Sequence, residues 1–187
     1  MQIEKRNGFI EFIKRYAMYI AVGIVIFAVA LTFTIVAAVN NTVPANTGVL
    51  EFRLPMTNAT VIKDFSNTEL QNNETLNQWE AHLAVDLAGD SGEVYAILDG
   101  KVTDVSYSFL EGYTITLEHN SGFVSIYSSL QENVDVEVGQ EIKAGEKLGT
   151  VGDSASGELD LGSHLHLCMK LNNAYVDPND YLDLQQK

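Results

Sequence analysis

Residues 112–130 read GYTITLEHNSGFVSIYSSL, in which two runs of alternating apolar and polar residues flank the polar tetrapeptide HNSG. Such alternation is typical of strands that bury one face, and Asn, Ser and Gly favour the tight turn that joins two strands. This stretch therefore predicts a β-hairpin made of Tyr113–Glu118 and Phe123–Leu130.

The same signals continue on both sides of the hairpin. Short apolar or alternating runs, separated by Gly, Asn and Asp, occupy residues 94–108 (VYAILDGKVTDVSYS), 134–152 (VDVEVGQEIKAGEKLGTVG) and 164–176 (HLHLCMKLNNAYV). No long segment with a helical period of 3.6 occurs in this part of the chain. We therefore expect an all-β domain with an antiparallel sheet core of short strands.

Near the N-terminus, the 24 residues 16–39 contain no charge (YAMYIAVGIVIFAVALTFTIVAAV). A bilayer core is spanned by about 20 apolar helical residues, and the apolar region of a cleaved signal peptide has only about 7–15. The segment therefore predicts one transmembrane α-helix that acts as an uncleaved signal-anchor. Basic residues precede it (Lys5, Arg6, Lys14, Arg15), so we expect residues 1–15 in the cytoplasm and the rest of the chain outside.

Charge is distributed unevenly along the 187 residues. The net charge is −14, and the part after residue 39 holds 23 of the 25 acidic residues but only seven of the 11 basic ones. An acidic exterior disfavours nucleic acid as a partner and is repelled by an anionic membrane surface. Only the predicted anchor should therefore hold this domain at the bilayer. The single cysteine excludes an intramolecular disulfide framework.

Between the anchor and the β domain, residues 40–78 predict a linker and an N-terminal extension. The polar start contains Pro44 and Gly48, which favour loops. Residues 51–55 (EFRLP) and 59–65 (ATVIKDF) have the composition of short strands, whereas residues 67–78 are Asn-rich and predict a loop or a ragged helix. The β domain is then expected over residues 79–187.

Three of the four histidines form two motifs with metal-ligand spacing. His82 and Asp86 make H-x-x-x-D, and His164 and His166 make H-x-H in an apolar run. Alternate residues of a strand point to one face, so H-x-H can present two imidazoles side by side. Catalytic Zn²⁺ takes three His or Asp ligands and keeps a fourth position for water. The two motifs together contain three histidines and one aspartate. They can therefore supply two histidine ligands and one aspartate ligand, and one histidine remains that does not bind the metal.

These motifs and the runs between them resemble the LytM/lysostaphin-type zinc metallopeptidases over about residues 79–182, in the family's element order. The resemblance implies a Zn²⁺ ion held by His82, Asp86 and His166. It also implies that His164 is a catalytic general acid/base beside the metal water, and that the fold is the one with which the family cleaves peptidoglycan peptides.

The chain departs from that family at a second catalytic histidine. The family's Tyr-x-His-Leu segment reads YSSL here, so Ser129 replaces the histidine. His119 is about ten residues along the hairpin from Ser129 and cannot replace it; we expect a turn residue, hydrogen-bonded or exposed. Ala84 stands where the family usually has Gly. Cys168, two residues after His166, is either a thiolate ligand or a buried apolar cysteine.

The predicted anchor, the small exported domain and the Tyr-x-Ser sequence at residues 127–129 together resemble the sporulation members of this family, whose peptidase motifs are partly degenerate. That resemblance implies a scaffold in the forespore membrane that binds a partner membrane protein of the opposing cell across the intermembrane space, with weak or no peptidase activity. Two alternatives stay open: an active peptidoglycan zinc endopeptidase, or a regulator of cell-wall hydrolases.

Overall fold

The computed structural model describes residues 11–19, 21–29 and 50–186, and the chain divides into two compact units, Met1–Ala45 and Asn46–Lys187. In the first unit the described residues form two helices, α1 (Glu11–Tyr19) and α2 (Ala21–Val29). Neither helix alone could cross a bilayer. The two taken together have the length and apolar composition to do so, with a bend at the break between them. The rest of the predicted anchor lies outside the described residues.

In the second unit, strands and short 3₁₀ turns account for all regular structure of the described residues. The strands are β1 (Thr60–Lys63), β2 (Ser66–Asn73), β3 (Gln78–His82), β4 (Val85–Ala88), β5 (Glu93–Tyr95), β6 (Gly100–Ser108), β7 (Gly112–His119), β8 (Phe123–Leu130), β9 (Glu141–Ile142), β10 (Lys147–Thr150), β11 (Leu165–Leu171), β12 (Ala174–Val176) and β13 (Gln185–Gln186). The 3₁₀ turns are Asn120–Gly122, Leu159–Leu161 and Pro178–Asp180. The all-β prediction is confirmed for this unit.

One large sheet organises the unit. Its strands lie in the order β13-β1-β4-β11-β8-β7-β6-β9, with β12 paired to β11, and every pair is antiparallel except β1 with β13. Two smaller antiparallel sheets, β5 with β10 and β2 with β3, complete the unit. Asp86 lies on β4 and His166 on β11, and β8 is the next strand of the sheet, so the site is built on the middle of the sheet.

The predicted hairpin of β7 and β8 is present, and a 3₁₀ turn at Asn120–Gly122 joins its strands. Residues of β8 alternate between two environments. Tyr127 is fully buried opposite Leu167 of β11, whereas Ile126 and Ser128 line a cleft on the other face. One face of the central sheet therefore belongs to the hydrophobic core, and the other to the site.

The core consists of buried aliphatic side chains from most of the strands. The largest fully buried side chains are those of Tyr127, Met56, Leu87, Ile97, Ile115, Leu117, Leu130, Ile142, Leu148, Leu165, Leu167 and Met169. Each such burial contributes about 1.5–3 kcal/mol relative to an exposed side chain. This packing supplies the rigid support on which the polar residues of the cleft are held.

Two expectations for residues 50–78 were wrong. Residues 67–78 do not form a single loop or helix: residues 67–73 and Gln78 belong to the antiparallel pair β2–β3, and only the turn at residues 74–77 lies between them. Both faces of this hairpin are largely solvent-exposed, so its sequence lacks the alternation that reveals a half-buried strand. Residues 51–55 form no strand. Their backbone makes isolated hydrogen bonds rather than a ladder, such as the one from Arg53 N–H to the Ile97 carbonyl at 2.8 Å. The prediction of a strand within residues 59–65 is confirmed by β1.

Candidate metal centre

Strand pairing brings the H-x-x-x-D and H-x-H motifs together. In the antiparallel pair of β4 and β11, His166 lies directly opposite Asp86. Opposed residues of such a pair project from the same face, so their side chains meet. His82 is the last residue of β3, just before β4 begins. Residues that are 80 positions apart in the chain thus become neighbours.

The side chains of these three residues form a compact set of donors. His82 Nε2 lies 3.2 Å from Asp86 Oδ2, and His166 Nδ1 lies 2.8 Å from Asp86 Oδ1. Together with Glu158, each residue offers one ligand atom, and these atoms all lie within 4.8 Å of one another. Imidazole nitrogens and carboxylate oxygens in such a group are the ligand types that Zn²⁺ takes.

Backbone carbonyls orient two of the imidazole rings. His82 Nδ1–H donates to the Asp64 carbonyl at 2.7 Å, and His164 Nδ1–H donates to the Gly162 carbonyl, also at 2.7 Å. Because the proton is on Nδ1 in each ring, Nε2 is left with a free lone pair. Metal-binding histidines are commonly held in this way by a partner on the other ring nitrogen.

Buried polar atoms without a hydrogen-bond partner test whether a metal ion fits. Over the part of the chain that the structure describes, three such side-chain atoms occur: His82 Nε2, Asp86 Oδ2 and His164 Nε2. An unsatisfied buried polar atom costs about 1–3 kcal/mol. All three belong to the predicted site and are acceptors. One cation bound by His82 Nε2 and Asp86 Oδ2 would satisfy two of them, and both residues are in the group of possible ligands, whereas His164 is not. The donor set therefore fits a divalent metal ion.

Glu158 is the residue of this centre that sequence reasoning missed. It lies in the loop between β10 and β11, and its side chain is only 12% exposed. Its carboxylate accepts a hydrogen bond from Lys63 Nζ at 2.7 Å and lies 3.0 Å from His166 Nδ1. No motif marks this glutamate, and the only signal was an acidic residue in the loop that leads into H-x-H.

The charges of the centre are strongly coupled. Burial raises the pKa of Asp86, but hydrogen bonds and charges from His166 and His82 outweigh it, so the pKa is lowered. The pKa of Glu158 is likewise held far below its ordinary value, because bonds from His164 and His166 outweigh the effect of burial. Burial alone would lower the pKa of His166, whereas the two carboxylates raise it to about 10. Two buried carboxylates thus favour positive charge beside them, whether from a protonated imidazole or from a divalent cation.

Ser129, in place of the family's histidine, is buried and adopts the left-handed backbone conformation (φ 62°) where the β7–β8 register shifts. Its hydroxyl donates to the Gly152 carbonyl at 3.3 Å. Gly152 is in turn the β-bridge partner of His164. The position therefore lies next to the segment that carries His164, but its hydroxyl is engaged by the backbone.

Two other residues considered from the sequence lie outside the group of possible ligands. Cys168 is buried and lines the cleft, and burial raises the pKa of its thiol to about 11, which disfavours a thiolate. Its environment is that of a buried apolar cysteine. His119 is hydrogen-bonded at the end of β7 as expected, but it is buried, so the exposed alternative was wrong.

An open cleft of about 500 Å³ leads to the donor group. Its lining includes both polar and apolar side chains, among them Leu76, Leu110, Ile126, Ser128 and Tyr175. A cleft of this size can hold a peptide-sized segment, and its floor is the face of the β8–β11 pair that carries His166.

The family model for peptidase family M23 matches residues 80–178, which is more than half of the chain and includes all the residues of the donor group. This chain belongs to peptidase family M23. The resemblance drawn from its motifs is confirmed, and the antiparallel sheet core is the one expected for this family.

Among curated proteins, the M23 chain is 29% identical over 136 residues to stage II sporulation protein Q of Bacillus subtilis, covering 67% of this chain and 47% of that protein. It is 31% identical over 101 residues to the murein hydrolase activator NlpD of Escherichia coli, covering 52% of this chain and 25% of that protein. The chain therefore spans only about a quarter to a half of the length of these relatives.

Among solved structures, the chain is similar to the SpoIIQ–SpoIIIAH pore-forming complex, with 25% identity, a TM-score of 0.62 and coverage of 72% of this chain and 92% of that one. It is also similar to a zinc-containing peptidase from Vibrio cholerae, with 28% identity, a TM-score of 0.54 and coverage of 73% and 41%. Both likenesses extend over most of the second unit.

Proposed function

We propose that this chain is a membrane-anchored, extracytoplasmic M23 domain that binds Zn²⁺ and acts as a sporulation scaffold with weak or no peptidase activity. Its partner would be a membrane protein of the opposing cell, similar to SpoIIIAH. The observation that carries the proposal is the donor group of His82, Asp86 and His166, intact in a chain that has serine at position 129. The similarity to stage II sporulation protein Q supports the scaffold role.

In this proposal His82, Asp86 and His166 hold the ion. When bound, Zn²⁺ polarises a scissile carbonyl and lowers the pKa of bound water. In this proposal His164 would exchange a proton with a group at the centre, and the 3.9 Å between its Nε2 and Asp86 Oδ1 supports that role. The Asp64 and Gly162 carbonyls keep the two imidazole rings of His82 and His164 in orientation.

The serine at position 129 argues for weak catalysis. In acyl-transfer sites, loss of one donor that stabilises developing negative charge costs about 10²–10³ in rate. A serine hydroxyl is never cationic and, at position 129, is already bonded to the Gly152 carbonyl. It therefore replaces a histidine poorly.

An exposed strand edge offers a place for the partner protein. Strand β9 pairs with β6 only at Gly100 and Lys101, and no other described strand covers the rest of that edge. The uncovered residues from Thr103 to Ser108 are mostly solvent-exposed, including Tyr107. An open edge of this kind can accept an added strand from another protein.

Metal content and turnover test the proposal. We expect the purified full chain to bind about one Zn²⁺, and His82→Ala to bind none. A chelator should lower the stability of the native chain by about 3 kcal/mol at moderate metal excess, by mass action, and leave His82→Ala unchanged. Neither form should cleave peptidoglycan peptides under conditions in which the endopeptidase ShyB of Vibrio cholerae does.

The same assays separate the alternatives. Turnover by the native chain that disappears in His164→Ala would establish an active zinc endopeptidase and contradict the scaffold. A regulator of wall hydrolases is favoured by the similarity to NlpD, whose name is murein hydrolase activator. That function would appear as stimulation of a purified wall amidase or endopeptidase by a chain that has no turnover of its own.

A further inference from the structure

We infer that Glu158 is a fourth protein ligand of the metal centre, so that the ion is enclosed by four side chains and has no position for water. The inference rests on the proposed metal binding and concerns what the site does with the ion. Catalytic zinc sites keep one open position, whereas structural sites are closed by four protein ligands. Glu158 decides which type this centre is.

Distances between donor atoms place Glu158 at ligand spacing. Four ligands at about 2.0–2.1 Å from a tetrahedral zinc lie about 3.3 Å from one another. The distances of His82 and His166 to Asp86 oxygens are 3.2 and 2.8 Å. The corresponding distances to Glu158 oxygens are 3.7 and 3.0 Å. In both carboxylates one oxygen faces His82 (Asp86 Oδ2, Glu158 Oε1) and the other faces His166 (Asp86 Oδ1, Glu158 Oε2), so Glu158 has the same two neighbours as Asp86.

A different role for a carboxylate near a metal is general base. A general base hydrogen-bonds the metal-bound water, so its oxygen lies one water molecule further from the ion than the ligands do. Glu158 Oε2 lies 3.0 Å from His166 Nδ1, which is close to the spacing of two ligands on one ion, and an oxygen of Glu158 belongs to the group of donor atoms within 4.8 Å of one another. The geometry therefore favours direct ligation.

Neighbouring residues hold Glu158 in this position. Lys63 Nζ donates to its Oε1 at 2.7 Å, and the two side chains are only 13% and 12% exposed. Lys63 in turn stands opposite Asp86 in the β1–β4 register. On the other side, the carbonyl of Gly157 accepts a hydrogen bond from the buried Asn73 at 2.9 Å. The carboxylate is thus fixed by elements on both sides of its loop.

A closed centre has a consequence for activity. With Glu158 at the fourth position, neither water nor a substrate carbonyl can reach the ion unless the carboxylate leaves. The ion then stabilises the fold by joining β3, β4, β11 and the loop before it. Loss of the histidine at position 129 is, in this view, one of two independent obstacles to hydrolysis.

Azide binding to the Co²⁺-loaded full chain tests the inference. Azide binds an open or water-occupied position and changes the visible spectrum of Co²⁺. We expect no change for the native chain and a clear change for Glu158→Gln. Asp160→Asn is the matched control, because Asp160 is in the same turn but its carboxylate accepts a hydrogen bond from the Thr75 hydroxyl. Mutation of a residue that only hydrogen-bonds a metal ligand typically lowers metal affinity by about 10–100-fold. We therefore expect Glu158→Gln to lower the metal affinity by at least about tenfold, and Asp160→Asn to leave it almost unchanged.

Opposite results overturn the inference. A clear spectral response to azide in the Co²⁺-loaded native chain would show that the ion has an open position and that Glu158 does not close it. Equal metal affinities of the native chain and Glu158→Gln would likewise show that Glu158 is not a ligand. The native measurement needs no variant, so it decides the question even if Glu158→Gln does not fold. Failure of the native chain to bind Zn²⁺ or Co²⁺ would overturn the proposed metal function as well, which distinguishes the two failures.

Discussion

His119 lies at the end of β7 with only 6% of its surface exposed, and both ring nitrogens have polar neighbours. Its Nδ1–H donates to the Asp99 carbonyl at 3.0 Å, and Nε2 lies 2.6 Å from the Ser125 hydroxyl. That hydroxyl is 3.0 Å from the hydroxyl of Tyr127, which accepts the backbone N–H of Ile97. This buried chain of hydrogen bonds suits a neutral imidazole.

The environment of His119 predicts a pH dependence of stability. Burial lowers its pKa below the ordinary 6.5, with the Asp99 carbonyl and charge opposing; Asp99 is itself paired with Lys143. Below about pH 6.5 the unfolded chain therefore binds more protons at this residue than the folded chain, and its contribution to stability falls. Above pH 6.5 the contribution is complete.

We expect His119→Gln to be less stable than the native chain by about 1 kcal/mol at pH 7.5, because hydrogen bonds are lost. The difference should shrink as the pH is lowered to 5, since only the native chain carries the imidazole. Urea unfolding of both forms between pH 7.5 and 5 measures this difference in stability. The effects of all other titrating groups cancel in the difference, because both forms contain them. A constant or growing difference would contradict the neutral, buried histidine.

At the scale of elements, the hairpin β2–β3 is attached to the site loop through one residue. Asn73 is the buried end of β2, and its side-chain amide donates to Glu80 at 2.7 Å and to the Gly157 carbonyl at 2.9 Å. Its side-chain oxygen accepts the N–H of Leu76 at 2.9 Å. The adjacent Asn72 is exposed. Of these two neighbouring asparagines, Asn73 is buried and links β2 to β3 and to the loop at Gly157, whereas Asn72 faces solvent.

Asn73→Ala should destabilise the domain by about 1–3 kcal/mol, because it leaves buried polar groups without partners. Asn72→Ala is the matched control and should change stability by less than about 0.5 kcal/mol. Thermal or urea unfolding of the metal-free chain compares them. Equal effects of the two substitutions would show that the bonds of Asn73 contribute nothing specific.

The loop between β10 and β11 is the element that most influences the proposed centre. Asn73 bonds its Gly157, and Lys63 of β1 bonds its Glu158. Both partners come from the segment before Trp79, which the sequence suggested only as an extension. Strand β1 also pairs with β4 in the main sheet. The segment before Trp79 therefore helps to position a residue of the proposed site, through the bonds of Asn73 to Gly157 and of Lys63 to Glu158.

At the scale of the whole molecule, the proposed attachment to the membrane depends on the apolar segment 16–39 alone. The rest of the chain after that segment has a net charge of −16, counted from its seven basic and 23 acidic residues. Such a charge is repelled by anionic lipids, so electrostatic attraction cannot hold the domain at the surface. Salt weakens an electrostatic attachment to the membrane surface, whereas it does not release a chain held by an apolar membrane span.

We expect the full chain to sediment with membranes, to resist high salt and to be released by detergent. Deletion of residues 16–39 should move it to the soluble fraction. In wall-free protoplasts of a non-sporulating host that carries the chain, protease added from outside should cleave the domain that follows residues 16–39, because the basic residues precede that segment. Release of the full chain by salt, or protection of the domain from protease, would contradict the anchor or its orientation.

Local sequence determined the β class, the β7–β8 hairpin, the family and the H-x-x-x-D and H-x-H motifs, because strand alternation, turn residues and motif spacing are properties of neighbouring residues. Only the tertiary structure decided that β2 and β3 pair, that Ser129 bonds the Gly152 carbonyl, and that Glu158 stands beside His82 and His166. The hairpin was hidden because both of its faces are exposed. Glu158 was hidden because its role comes from Lys63, 95 positions away in the chain, and from a loop whose path no periodicity encodes.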